Sequence, residues 1–245
     1  MKPQQKRIDR GMWWDKPWTL VSGCTRVSPA CDHCWALAME HRFGKSAPAQ
    51  FHLDRLDAPS RVLRPSVFAC WNDLFHENVA TTQIWGALDV MEACSWHQFM
   101  VLTKRARKLR SQLSELRMAT MTAPEPNVWL GVTAENQATA DERIPLLLQT
   151  PAAHRFISIE PGLSNIELRR GVYQRATDGA YEGTSLEGID LVILGAETGP
   201  GARPMDLDWA RSVRDQCTSA GVPFFYKRGS DGSRELDGRK WEEMP

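Results

Sequence analysis

Apolar residues recur along this chain in short runs separated by longer stretches with helical spacing. Seven runs, at 18–23, 67–71, 99–102, 127–132, 155–159, 190–194 and 222–226, are four to six residues long and rich in β-formers. Between them the pattern predicts helices over 32–43, 82–94, 141–149 and 207–220, with a further one after 103–105. No short internal period marks a solenoid, and the stretch after Arg228 reads as irregular.

Alternating strands and helices predict a parallel sheet with right-handed crossovers. Two architectures satisfy this pattern, an open doubly wound sheet and a full or partial (β/α) barrel. In both, function gathers beyond the carboxyl ends of the strands. A polar cluster follows nearly every run: Cys24; Asn72 and Asp73; Thr103, Lys104 and Arg105; Thr133 and Glu135; Glu160; Glu197; and Tyr226, Lys227 and Arg228. These residues are expected to ring one mouth. A single carboxylate at such a place is usually a helix cap, so the repetition carries more than any member.

The 245 residues, 42% hydrophobic, are enough for one substantial core. One domain over 1–228 is expected, with a tail at 229–245 packed on or near it. Lys plus Arg and Asp plus Glu number 30 each, so no global field draws the chain to nucleic acid or membrane. There is no apolar leader and no long apolar run, which predicts a cytoplasmic protein without membrane partners. One local exception is Lys104 to Arg110, with five cations in seven residues.

Six cysteines do not make a disulfide scaffold in a chain of this length. Cys70, Cys94 and Cys217 are scattered through apolar or helical stretches and are expected in the core. Cys24, Cys31 and Cys34 crowd into eleven residues directly after the first strand. Three thiolates so placed can form a zinc knuckle, a redox pair or an iron–sulfur cradle. Structural zinc wants four protein ligands, and no second CxxC or HxxxH pair supplies the fourth. A thioredoxin-type pair at Cys31 and Cys34 leaves Cys24 without a role. Three cysteines with one open iron suit a [4Fe–4S] cluster that takes a small chelate at that iron.

A strand ending in a three-cysteine loop whose last pair is spaced CxxC resembles the radical SAM superfamily. His33 stands at that superfamily's aromatic position before the last cysteine. The spacing from Cys24 to Cys31 departs from its pattern, with six intervening residues instead of three. The blocks VSGCTRVSPACDHC at 21–34, NDLFHE at 72–77, VLTKR at 101–105, VWLGVT at 128–133, ILGAETGPGARP at 193–204 and LDGRKWEEMP at 236–245 resemble one phage and bacterial family. That family is related to radical SAM enzymes with the longer cysteine spacing.

The resemblance implies a partial or full barrel, a [4Fe–4S] cluster on Cys24, Cys31 and Cys34, and S-adenosylmethionine (SAM) chelated to the open iron. It places Asn72 and Asp73 where the SAM ammonium is held. Glu135 or Glu160, with Thr133 beside them, would meet ribose hydroxyls or substrate. Gly195 and Glu197 lie in a glycine-rich turn able to pass close to the adenosyl group. Lys104, Arg105, Arg203, Tyr226 and Lys227 are the expected substrate contacts. The expected activity is isomerase- or lyase-type radical chemistry on a nucleobase, such as amino-acid-decorated thymidine in phage DNA, with a flavodoxin or ferredoxin as electron donor. The alternatives are radical chemistry on a DNA lesion or RNA base, and a metal-stabilised nucleic-acid-binding module without catalysis.

Overall fold

The computed structural model describes residues 2–34, 36–38, 49–168, 172–175, 179–182 and 186–245, with the backbone alone for 172–175 and 179–182. In chain order the elements are α1 (Gln5–Ile8), β1 (Lys16–Trp18), β2 (Val21–Ser22), β3 (Gln50–Phe51), β4 (Val67–Cys70), α2 (Thr81–Ala93), β5 (Gln98–Thr103), α3 (Ala106–Thr120), β6 (Val128–Thr133) and α4 (Gln137–Leu148). Then follow β7 (His154–Ile159), β8 (Val172–Arg175), β9 (Gly179–Glu182), β10 (Leu191–Gly195), α5 (Leu207–Ala220), β11 (Phe224–Arg228), β12 (Glu235–Leu236) and β13 (Arg239–Lys240).

Seven strands form one parallel sheet in the order β1-β4-β5-β6-β7-β10-β11. The sheet curls into a half-barrel with helices against its convex side, so the partial-barrel expectation holds. Central strands such as β6 and β10 are buried along their whole length. Parallel strands covered on both faces carry apolar residues at successive positions, which is why these runs read clearly.

The two faces have separate cores. Val132, Ile157, Leu194 and Phe224 pack outward against Ile84, Leu109, Ile144 and Val213 of the helices. Met100, Trp129, Phe156, Ile193 and Phe225 point into the concavity. There they meet Ile8 and Trp13 from the amino-terminal segment, which lies across the inner face. Asp15 ties that segment to β4, accepting from the Val67 amide at 2.9 Å while its own amide bonds the Val67 carbonyl.

Three features differ from the sequence reading. The first predicted strand is two elements, because the chain leaves the sheet after Trp18 and Val21 and Ser22 pair antiparallel with Phe51 and Gln50. The tail is ordered: β12 and β13 form a hairpin, and the following residues run antiparallel to β11, with Tyr226 N–H donating to the Trp241 carbonyl. This covers an edge strand that would otherwise present open backbone groups. Of the helix expected over 32–43, residues 36–38 are helical, and 35 and 39–43 lie outside the described residues.

Gly131 sets how the concave face packs. A Cβ there would lie 2.5 Å from Cε1 and Cζ of Phe156, so the neighbouring ring occupies the missing side chain's space. Gly131→Ala is expected to cost about 1–3 kcal/mol through overpacking, measured by urea denaturation. Phe156→Leu in the same chain should recover part of the loss, whereas no recovery would place the strain elsewhere.

Candidate functional site

The cysteine loop begins where β2 ends, and two arginines hold it. Arg105, just past β5, is 7% exposed and uses all its donors. Its Nε donates to both Glu77 oxygens at 2.8 Å, and Nη1 donates to Asp73 Oδ2 at 2.8 Å. Nη2 donates to Thr25 Oγ1 at 2.7 Å, and Nη1 also stands 3.9 Å from the Cys24 sulfur. Asp73 is buried, and its Oδ1 accepts from Thr103 Oγ1 at 2.6 Å and the Phe75 amide at 3.0 Å. His76 Nδ1 accepts the Asn78 amide, so Nε2 carries the proton that reaches Thr25 Oγ1 at 3.0 Å.

Arg203, in the loop after β10, holds the other end. It donates to Glu197 from Nε at 2.9 Å and to the Pro29 carbonyl from Nη2 at 2.8 Å, and its Nη1 lies 3.6 Å from Asp32. Gly201, at φ +75°, adopts a backbone that L side chains rarely take, and a Cβ there would stand 3.0 Å from His33 Cε1. The glycine-rich turn thus packs on the cysteine loop. Held at Thr25 beside β4 and β5, and at Pro29 and Asp32 beside β10, the loop bridges the carboxyl-end mouth.

Cys31 is buried, and Cys24 and Cys34 are half-buried. Burial pushes the Cys24 thiol up, against the pull of Arg105. Among the described residues, no group of three or more His, Cys, Asp or Glu is arranged to hold a metal ion. The donor chemistry of the loop is three sulfurs, the ligand type that iron–sulfur clusters take, and the residues fit such a group in kind. Cys70, Cys94 and Cys217 are buried as expected, and burial raises the Cys70 thiol to about 12.

The other strand-end residues are mostly paired with one another. Glu135 is 0% exposed; its Oε2 accepts from Arg143 Nη1 at 2.9 Å, while Oε1 is buried without a partner among the described residues. Thr133 is buried beside it, its carbonyl also accepting from Arg143. Glu160 meets Lys227 at 2.7 Å, next to Gly195. Asn72, at φ 59°, donates to the Val21 carbonyl at 2.8 Å and stitches β4 to β2.

Several expected contacts are committed to partners within the chain. Asp73 and Arg105 spend their polar atoms on each other and on the loop, and Arg203 spends its own on Glu197 and the loop. Tyr226 belongs to the helix-side core at 1% exposure, whereas Lys227, at a bulge in the β10–β11 register, meets Glu160 and Gly195 on the concave side. The cation run is also largely committed: Lys108 donates to the His76 and Val79 carbonyls, Arg107 pairs with Glu142 and Arg110 bonds Gln149. Arg143, in α4, and Thr25 were missed in the sequence, since neither follows a strand directly.

The family model for a protein of unknown function (DUF5131) matches residues 9–245. No curated protein and no solved structure matches the chain. Among the described residues, no helix is long and apolar enough to cross a membrane.

Arg105→Ala would strand Asp73 as a buried, unpaired charge. A loss of about 3–5 kcal/mol is expected in urea denaturation of metal-free protein, and a change below ~1 kcal/mol would contradict the buried pairing. Burial, then Arg105, lowers the His76 pKa below its ordinary value. The unfolded chain therefore takes up a proton near pH 6.5 that the folded chain refuses, and stability should fall as pH drops below about 6.5. His76→Asn should flatten that part of a melting-temperature profile against pH.

Proposed function

The chain belongs to this family of proteins of unknown function, and we propose that it is a radical SAM enzyme whose [4Fe–4S] cluster is held by Cys24, Cys31 and Cys34. The observation that carries this reading is the placement of the three-cysteine loop. It bridges the carboxyl-end mouth of a half-barrel and is anchored there by Arg105 and Arg203. Ligands in such sheets bind beyond the carboxyl ends of the strands. Bound there, the cluster would supply one-electron reduction of SAM to methionine and a 5′-deoxyadenosyl radical, which takes a hydrogen atom from the substrate.

The chain's own residues would orient and enclose the reactants. Arg105 and Thr25 fix the Cys24 end of the loop, and Arg203 with Gly201 fixes the segment from Pro29 to His33. Asp73 is committed to Arg105 and Thr103, so the acceptor best suited to the SAM ammonium or ribose is Glu135. Its Oε1 is buried without a partner among the described residues, and the carboxylate lies within electrostatic reach of Arg203. A buried acceptor without a donor is costly, and a ligand donor would relieve that cost. The apolar concave face below the mouth helps exclude water from a radical.

The substrate in this reading is a nucleobase or nucleotide, with amino-acid-decorated thymidine of phage DNA as the specific candidate. A flavodoxin or ferredoxin would serve as electron donor. A dedicated nucleic-acid-binding module is the weaker reading, because three cations of the basic run, Arg107, Lys108 and Arg110, have partners within the chain.

Anaerobic reconstitution with iron and sulfide should give brown protein with about four irons per chain. Ala at any one of Cys24, Cys31 or Cys34 should abolish iron binding, and Ala at Cys94 should not. Stoichiometric zinc without iron would overturn the assignment. With SAM and dithionite, chromatography should detect 5′-deoxyadenosine. Glu135→Gln should weaken SAM binding in equilibrium dialysis by about 1.5–3 kcal/mol, the range for a hydrogen bond to a charged group. An unchanged dissociation constant would move the acceptor elsewhere.

A further inference from the structure

We infer that the Glu160–Lys227 pair reads the hydrogen-bonding edge of a nucleobase, where a ring N–H adjoins a carbonyl. This deepens the proposed function and rests on its nucleobase substrate.

Contacts put the pair on the concave face, because the β10–β11 register shifts at a bulge where Leu194 pairs with Tyr226 but Gly195 with Arg228. Phe156 and Ile193 belong to the inner core, Ser158 with Glu160 and Gly195 follow them in steps of two, and a Cβ at Gly195 would meet Lys227 Cβ on that same side. In the order β7-β10-β11, Glu160 and Lys227 stand on either side of β10, and their 2.7 Å ion pair arches over Gly195. A Cβ at 195 would lie 2.9 Å from Glu160 Oε1 and 3.3 Å from Lys227 Cβ. Glycine there is what lets the two side chains meet.

The carboxylate is oriented from its far side. Trp13 Nε1 lies 3.4 Å and Ser158 Oγ 3.3 Å from Glu160 Oε2, leaving Oε1 beside the ammonium. Both side chains remain accessible, at 17% for Glu160 and 32% for Lys227. An ammonium has three donors, and the described residues give Lys227 one acceptor. The pair therefore presents an acceptor and a free donor side by side.

That arrangement complements a lactam, with Lys227 donating to the carbonyl and Glu160 Oε1 accepting the ring N–H. A neutral ligand suits this place better than an ion, because the acid and base already balance each other. The concave face also carries half-buried Trp71 and Trp14, edge to face at 5.6 Å, with Leu102 packed on the same inner core. Such surfaces favour a flat ring over an amino-acid zwitterion.

The test titrates the full chain, after anaerobic reconstitution, with thymidine, 3-methylthymidine and alanine, followed by indole fluorescence and ligand-observed NMR. Thymidine should bind, and N3-methylation, which removes the N–H, should weaken binding at least ~tenfold. Lys227→Met should cause a similar loss on thymidine, and circular dichroism checks its fold. If that variant does not fold, the methylated nucleoside on the unaltered chain still decides. Equal binding of the two nucleosides, no thymidine binding at millimolar concentration, or displacement of thymidine by alanine would overturn the inference. Iron content of the same unaltered preparation reports on the cluster separately, so loss of one reading is distinguishable from loss of the other.

Discussion

Arg105 brings a full positive charge into the protein, and much of the mouth is organised by how that charge is satisfied. Its donors reach Asp73 and Glu77 from the loop after β4, and Thr25 and Cys24 from the loop after β2. Three segments far apart in sequence are thus fixed by one planar group. A lysine ammonium is a point charge on a flexible stem and offers no such fork. Asp73 then cannot be read in isolation: it is the counter-charge that makes the burial of Arg105 tolerable, and Thr103 and the Phe75 amide fill its remaining lone pairs. Because every partner is satisfied, the cysteine loop is set in place without contributing to a core of its own.

The same logic repeats around the rim. Asp73 with Arg105, Glu135 with Arg143, Glu160 with Lys227, and Glu197 with Arg203 each pair an acid with a base. The neutral composition of the whole chain is thus mirrored in these four pairs. Burial around these pairs makes an unpaired atom costly, which is why Oε1 of Glu135, without a partner among the described residues, stands out against its neighbours.

Strand positions were legible because a parallel strand covered on both faces must be apolar at successive positions, and β6 and β10 obey that rule. The hairpin β8–β9 was missed because Val172–Arg175 and Gly179–Glu182 lack such a run. The tail read as irregular because Trp241 and Glu242 pair with β11 through backbone groups, which leave little mark in composition. At the site, strand-end polarity marked where the mouth would be. It did not say which residues face it: Tyr226 and Lys227 are neighbours in sequence, yet one lies among the helices and the other in the concavity. Nor did it show that Arg105, Asp73 and Thr25 would bond one another, since that follows from strand order and register.

Two glycines on the concave face divide it into a dry floor and a polar rim. At Gly131 the missing side chain makes room for the Phe156 ring, which packs against Trp13 at 5.8 Å and helps fill the floor. At Gly195, nearer the carboxyl end, the missing side chain makes room for the Glu160–Lys227 pair. The amino-terminal segment serves both levels, since Trp13 packs its indole into the floor and turns its N–H toward Glu160. Polar side chains thus follow the apolar floor toward the carboxyl ends of the strands. In the proposed reading, a ligand there would meet charges already paired and oriented, so hydrogen-bond geometry would decide its binding more than net charge.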